Sequence, residues 1–279
     1  MDCLHHDFDP PELVCSSAAE HLTVNQGVVG SNPTRPANYK GEKIMYDLTC
    51  GDCLEIMKNI PDKSVDMILC DLPYGTTTCP WDVIIPFDKL WEQYNRIIKN
   101  NGAIVLFGSE PFSSALRVSN IKNYKYDWVW NKKQTGNPFL SKKQPLKIHE
   151  NIMVFNTKTY IPQMRQGKMR TKGGSKGANV KIFAGTDKTQ NDLYYPVSIL
   201  DFANCGNKNK KLHPTQKPVD LCEYLIKTYT NENDTVLDNC MGSGTTGVAC
   251  KHLNRNFIGI ELDESYFEIA KNRIVGELL

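Results

Sequence analysis

The sequence predicts an α/β protein whose core is a doubly wound, mostly parallel sheet, and three observations carry that prediction. Short aliphatic runs such as Val65-Asp66-Met67-Ile68-Leu69-Cys70 end at turn residues, as buried parallel strands do. These runs alternate with stretches of helical periodicity, which is the βαβ rhythm. Near the carboxyl end, Gly242-Ser243-Gly244-Thr245-Thr246-Gly247 follows one such run with the G-x-G-x-x-G spacing of a strand-to-helix turn that admits a nucleoside.

In chain order, residues 1–44 come first and look unlike the rest. They carry Pro, Asn, Gly and Ser without apolar periodicity, which reads as a disordered tail. The codons of Val29-Gly30-Ser31-Asn32-Pro33 can spell the T-arm consensus of a transfer RNA gene, so the tail also reads as an accidental translation, with Met45 the natural start. From there the pattern is regular. Residues 46–49 form a short strand, Gly51-Asp52 turns at its end, and a helix begins at Leu54 and stops near Pro61. After the strand at 65–70, Phe87, Leu90, Trp91, Tyr94, Ile97 and Ile98 share one helix face, and that helix is expected to end at Asn101-Gly102 before a strand over 103–107. Strands are expected at 126–130 and 151–155, a helix over 219–229, and two further strands at 235–238 and 257–260, the last ending in Glu261.

Composition sets the outer limits. With 279 residues, 40% hydrophobic and 23% charged, the chain is long enough for one domain over 45–279 with a smaller insert. It has no apolar run of 18 residues, and its first residues, with Asp2, Asp7, Asp9 and Glu12, lack the order of a signal peptide, so a cytoplasmic protein with no membrane partner is expected. Its ten cysteines are scattered, several inside apolar patterns, as reduced thiols would be. Cys50-Gly51-Asp52-Cys53 is the only C-x-x-C and has no second pair at ligand spacing, so no metal is expected. Charge is segregated: residues 131–211 hold sixteen Lys and Arg against four Asp and Glu, although the whole chain is only +2. A basic, Gly- and Asn-rich insert on a near-neutral protein suits a phosphate backbone, with Lys132, Lys133, Lys142 and Lys143 as the expected contacts; a solvated loop is the plainer alternative.

Asp71-Leu72-Pro73-Tyr74-Gly75 directly follows the strand at 65–70, at the end where parallel sheets place their ligands. An acceptor carboxylate, a backbone carbonyl at Leu72, a stiff proline and an aromatic ring in successive slots can hold a planar group that carries an amine, and a nucleobase fits. Taken alone, a strand ending in a proline turn explains the same residues.

Asp71-Leu72-Pro73-Tyr74 together with residues 238–246, Asp-Asn-Cys-Met-Gly-Ser-Gly-Thr-Thr, resembles the DNA amino-methyltransferases, which methylate the exocyclic amine of adenine or cytosine. The order, catalytic motif first and cofactor motif last with a recognition segment between, is similar to the β arrangement of that family. Gly51-Asp52, Trp128 to Lys132, His149 to Phe155 and His213-Pro-Thr-Gln-Lys-Pro218 resemble further family motifs, so the likeness runs from about Tyr46 to Ile274. Leu72 departs from the proline that many members carry, but the slot supplies a backbone carbonyl. The resemblance implies a methyltransferase fold with circularly permuted motif order, a target-recognition insert at about 156–211, and S-adenosylmethionine as cofactor. Asp71, Leu72, Pro73 and Tyr74 would be catalytic. Asp52 would lie at the cofactor's adenine and Glu261 at its ribose. Asp238, Gly242, Gly244 and Thr245, with His213 and Lys217, would surround its methionine portion. Double-stranded DNA is the implied substrate, with the base rotated out of the helix, and the resemblance admits a homodimer and a partner restriction nuclease.

By the same resemblance, Asp in the first catalytic slot points to the 6-amino group of adenine, where cytosine enzymes more often carry Ser. The 4-amino group of cytosine is the alternative, followed by RNA or protein amide methylation and a non-catalytic DNA-binding relative. An oxidoreductase shares the glycine loop but gives no reason for the catalytic motif or the basic insert. Methylation at cytosine carbon 5 needs a nucleophile in a Pro-Cys loop, and Cys79-Pro80 has the order reversed.

Overall fold

A computed structural model of the protein describes residues 21–26, 44–77, 79, 82–136, 138–171, 190–204 and 215–276. The amino-terminal half carries β1 (His21–Gln26), β2 (Ile44–Cys50), α1 (Cys53–Met57), β3 (Val65–Cys70), α2 (Phe87–Ile97), β4 (Ile98–Gly108) and α3 (Phe112–Ser119). Then come β5 (Tyr124–Gly136), β6 (Lys147–Phe155), β7 (Arg165–Thr171), β8 (Gln190–Tyr194) and β9 (Ile199–Asp201). The last part is α4 (Val219–Tyr229), β10 (Thr235–Asp238), α5 (Thr245–His252), β11 (Asn256–Glu261) and α6 (Glu264–Ile274). Nine strands form one sheet in the order β1-β2-β11-β10-β3-β4-β6-β5-β9, and β7 and β8 pair as a separate two-stranded sheet. From β2 to β4 every neighbouring pair is parallel, while β6 runs antiparallel to both β4 and β5.

Period-two side-chain alternation on buried strands produces two cores, one on each face of the sheet. Met67 and Leu69 of β3 join Ala103, Val105 and Phe107 of β4 beneath α4, α5 and α6. The intervening Ile68, Cys70, Ile104 and Leu106 pack on the other face, against α1, α2 and α3. The sheet is therefore wound on both sides, as the alternation of runs and periodic stretches predicted. The connections diverge between β3 and β10, adjacent parallel strands, and a crevice opens beyond their carboxyl ends. Among the described residues no helix is long and apolar enough to cross a membrane.

Several boundaries differ from the sequence reading. The periodic helix ends at Ile97, not at Asn101-Gly102, because Ile98 already has extended geometry and pairs with Val65. Leu90, Trp91, Tyr94 and Ile97 are its buried face, as expected. The tail contributes β1, antiparallel to β2, where residues 1–44 were expected to be disordered; the free edge of β2 offers backbone donors and acceptors that a short extended segment can satisfy. The rest of the tail lies outside the described residues. Part of the expected insert at 156–211 joins the main sheet, since β9 pairs in parallel with β5. Residues 172–189 and 205–214, which hold much of its lysine, lie outside the described residues.

Candidate active site

The crevice between β3 and β10 deepens into a cavity of about 610 Å³. It is roofed by the loop that follows β3. There Pro73 holds the backbone, Gly75 adopts a left-handed conformation at φ 66°, and the chain turns back toward Asp82. The Asp82 carboxylate accepts the backbone N–H groups of Gly75, Thr76 and Thr77 at 2.9, 2.9 and 2.7 Å, which folds the loop onto itself. Burial opposes the charge, but these hydrogen bonds outweigh it and hold the Asp82 carboxyl below the usual carboxylate range. Sequence reasoning missed this clamp, which nothing but the return of the chain reveals.

Asp71 sits at the carboxyl end of β3 and lines the cavity with Leu72, Pro73 and Tyr74, so the structure brings the four expected catalytic residues to one wall. The Tyr74 hydroxyl donates to Asp71 Oδ1 at 2.6 Å. One face of the Tyr74 ring packs on Phe112, with centroids 4.9 Å apart and planes at 27°. Leu72 buries its side chain in the core beneath. The slot therefore faces the cavity through its backbone, the reason leucine can stand where proline is common.

Lys217 is the main surprise. The buried Lys217 ammonium donates to Asp71 Oδ2 and lies 3.4 Å from Glu150 Oε2, while Lys132 Nζ reaches Glu150 Oε1 at 3.0 Å. Four side chains, two from strands and two from loops, thus alternate in charge, Asp71–Lys217–Glu150–Lys132, and sum to zero. Burial works against the Lys217 ammonium, but Asp71 and Glu150 overcome it and hold its pKa above the usual lysine range. For Glu150, Lys217 and Lys132 likewise outweigh burial and hold the carboxyl low. At Asp71 burial wins, raising the carboxyl above its ordinary value against the pull of Lys217, with the Glu150 charge adding to the rise. One expectation changes and another gains a partner. Lys217, expected at the cofactor's methionine portion, lines the cavity and is also paired with the expected catalytic carboxylate. Lys132, expected on a phosphate, is turned inward and paired with Glu150, because β5 alternates and places it on the cavity side. Lys133, Lys142 and Lys143 are exposed and do not line the cavity. Glu150 was missed; its signal was a carboxylate two residues before the apolar run Ile152-Met153-Val154-Phe155.

The other wall comes from β10, β11 and the turn after β2. Asp238 is buried; it accepts the Thr246 hydroxyl at 2.6 Å and the Cys240 N–H at 3.2 Å, and burial pushes its carboxyl up to about 7. Gly242 lines the cavity at φ 51°, a conformation that favours glycine, and Thr245 lines it one turn on, at the start of α5. Gly244 departs from expectation. It does not line the cavity but starts α5 at φ 77°, and a Cβ there would come within 2.9 Å of Ala270 and Ile274, so its lack of a side chain serves the packing of α5 on α6. Glu261 ends β11 with one oxygen on Gly242 N–H at 2.7 Å and the other on Asp263 N–H at 2.9 Å, so it shapes the glycine loop while facing the cavity; burial raises its carboxyl. Across from it, Gly51 N–H donates to the Glu261 carbonyl at 2.8 Å, and Asp52 lines the cavity while capping α1 through the N–H groups of Leu54 and Glu55. His213 lies outside the described residues. The size of the cavity, the glycine approach at Gly242 and the carboxylates at Asp52, Asp238 and Glu261 suit a nucleoside that carries hydroxyls and a cationic tail.

Comparison with known proteins agrees with that chemistry. Residues 65–272 match the profile of an N6/N4 DNA methylase family. The Type II methyltransferase M.HpaI of Haemophilus parainfluenzae is 31% identical over 250 residues, covering 82% of this chain and 74% of that protein. The Type II methyltransferase M.HinfI of Haemophilus influenzae is 28% identical over 261 residues, covering 80% and 67%. Among solved structures, an M1.HpyAVI–SAM complex superposes with a TM-score of 0.56 at 30% identity, covering 82% of this chain and 100% of the other. The cytosine-N4-specific PvuII DNA methyltransferase superposes with a TM-score of 0.59 over 83% of this chain and 93% of its own; at 16% identity the likeness is one of fold.

Proposed function

The chain belongs to the N6/N4 DNA methylase family and is an S-adenosylmethionine-dependent DNA amino-methyltransferase; within that activity, we propose that it methylates the 6-amino group of adenine, with Asp71, Leu72, Pro73 and Tyr74 as the reacting wall. The observation that carries the reading is Asp71, a half-buried carboxylate just after β3 that faces the cavity where the resemblance associates Ser with cytosine enzymes.

When bound, the cofactor supplies a methyl group on a cationic sulfur, which an amine can attack without a metal or a protein nucleophile. The protein's own task is to position and polarise. An exocyclic amine is a weak nucleophile while its lone pair is conjugated with the ring. Hydrogen bonds from its two hydrogens to Asp71 and the Leu72 carbonyl favour a pyramidal nitrogen and stabilise the positive charge that grows there. Lys217 and the Tyr74 hydroxyl hold Asp71 in place and leave the carboxylate lone pairs to accept from the amine. Tyr74, backed by Phe112, offers its ring to a base rotated out of the duplex. Asp52, Glu261, Asp238, Gly242 and Thr245 hold the cofactor on the opposite wall. Lys133, Lys142 and Lys143 contact phosphates, and the protein works in the cytoplasm.

Nucleoside digestion of DNA modified by the protein, followed by mass spectrometry, tests the choice of base. N6-methyladenine is expected, and methylcytosine without methyladenine would overturn it. Sequencing that reads modified bases in the same DNA gives the site.

A further inference from the structure

The connection between β5 and β6 carries an aromatic ring that the active-site cavity does not use. Residues 131–147 contain five lysines and no acidic residue. Within this stretch Pro138–Leu140 form a tight turn, closed by Ser141 N–H on the Pro138 carbonyl at 3.2 Å, and a second turn follows, closed by the N–H groups of Lys143 and Gln144 on the Leu140 carbonyl at 2.8 and 3.0 Å. The turn is internally fixed, yet Phe139 at its centre is 97% exposed. Lys142 and Lys143 stand exposed just after it, and Lys133 before it.

Strand directions say where this ring lies. β6 is antiparallel to β4 and to β5, and β4 is parallel to β3. The carboxyl end of β5 and the amino end of β6 therefore emerge on the same edge of the sheet as Asp71. Trp130 and Lys132 on β5 and Glu150 on β6 line the cavity itself, and the turn lies at the far end of the connection that joins these two strands. A fixed, bare aromatic ring flanked by cations suits a polyanion with an exposed π-face. A duplex from which one base has been removed offers such a face on each side of the gap.

We propose that Phe139 enters the base stack at the position emptied by the extruded target base, while Lys142 and Lys143 hold the adjacent phosphates. The ring recovers stacking lost on extrusion and so shifts the equilibrium toward the flipped state. This rests on base extrusion in the reading above, not on the choice of adenine.

The test compares Phe139→Ala, Phe139→Trp and the wild-type full chain on a duplex carrying the mapped site. A fluorescent analogue replaces the target base, which is either paired or opposite a mismatch that already weakens its pairing. The wild type should brighten the analogue in the paired duplex. Phe139→Ala should lose most of that rise and bind the paired duplex on the order of tenfold more weakly, with a smaller loss on the mismatched duplex, and Phe139→Trp should restore both. Lys142→Ala with Lys143→Ala should weaken both duplexes alike. Cofactor affinity and thermal unfolding, measured alongside, report folding. Equal losses of Phe139→Ala on both duplexes, no loss on either, or a change in oligomeric state instead of in fluorescence would overturn the proposal. If the wild type gives no rise, extrusion itself fails; if the variant keeps the rise, only the role of Phe139 fails.

Discussion

Two adjacent parallel strands each lead to an aspartate whose carboxyl is raised by burial, and the two carboxylates differ in their partners. Asp71, at the end of β3, has the Lys217 ammonium on one oxygen and the Tyr74 hydroxyl on the other. Asp238, at the end of β10, is held by the Thr246 hydroxyl and the Cys240 amide, and burial lifts its carboxyl to about 7. The pairing at Asp71 suits a group that must accept from a neutral amine in one fixed geometry. The uncompensated burial at Asp238 suits a group that becomes comfortable as an anion only when a cation arrives, and the cofactor is cationic. On the proposed reading the same structural slot supports reaction on one strand and binding on the next, and the neighbours decide which.

The sharpest way to break the comparison is Asp71→Ala. Methylation should fall by at least roughly 10²- to 10³-fold, the loss typical of one preorganised polar contact, while cofactor affinity by calorimetry stays near the wild-type value. Equal damage to both would mean that the walls are not separate. Next in size is Lys217→Met. Asp71 is already above its ordinary pKa, and methylation needs it ionised, so the rate should fall as pH drops through that raised value. Without the lysine, that acid limb should move to higher pH, since the cation that favours the carboxylate is gone. Lys217→Arg should restore part of the shift, which a merely structural loss would not show in a single-turnover pH profile.

Asp238 sharpens the contrast from the other side. Its folded pKa of about 7 exceeds the unfolded carboxylate value, so the proton it keeps favours the folded protein below the unfolded value, and that contribution is lost as pH rises through about 7. Asp238→Asn without cofactor should therefore melt higher than the wild type at pH 8, and by less at pH 5, in differential scanning fluorimetry. Its cofactor affinity should be lower, and wild-type affinity should rise with pH through the same region. The smallest effect expected is at Tyr74. Tyr74→Phe loses the 2.6 Å hydrogen bond to Asp71 but keeps the ring, so methylation should fall by about tenfold, as for one hydrogen bond to a charged group. Tyr74→Ala should cost more, and equal steady-state rates for the two variants would show that the ring contributes nothing.

Local chemistry was readable from the sequence by itself. The doubly wound sheet follows from run length and periodicity, because a buried strand and an amphipathic helix each write their burial within a few neighbouring residues. The two loops at Asp71 and Asp238 follow from residue types in fixed succession, and α4 spans the residues that its pattern indicated. What joins distant segments was decided only by tertiary structure. Lys217 meets Asp71 across 146 residues and also pairs with Glu150, because the strand order sets β3 beside β4 and β4 beside β6. Gly244 belongs to the seam between α5 and α6 and not to the cavity, and β1 found the free edge of β2. A charge partner, a packing seam and a strand edge depend on which surfaces meet, and periodicity describes each surface alone.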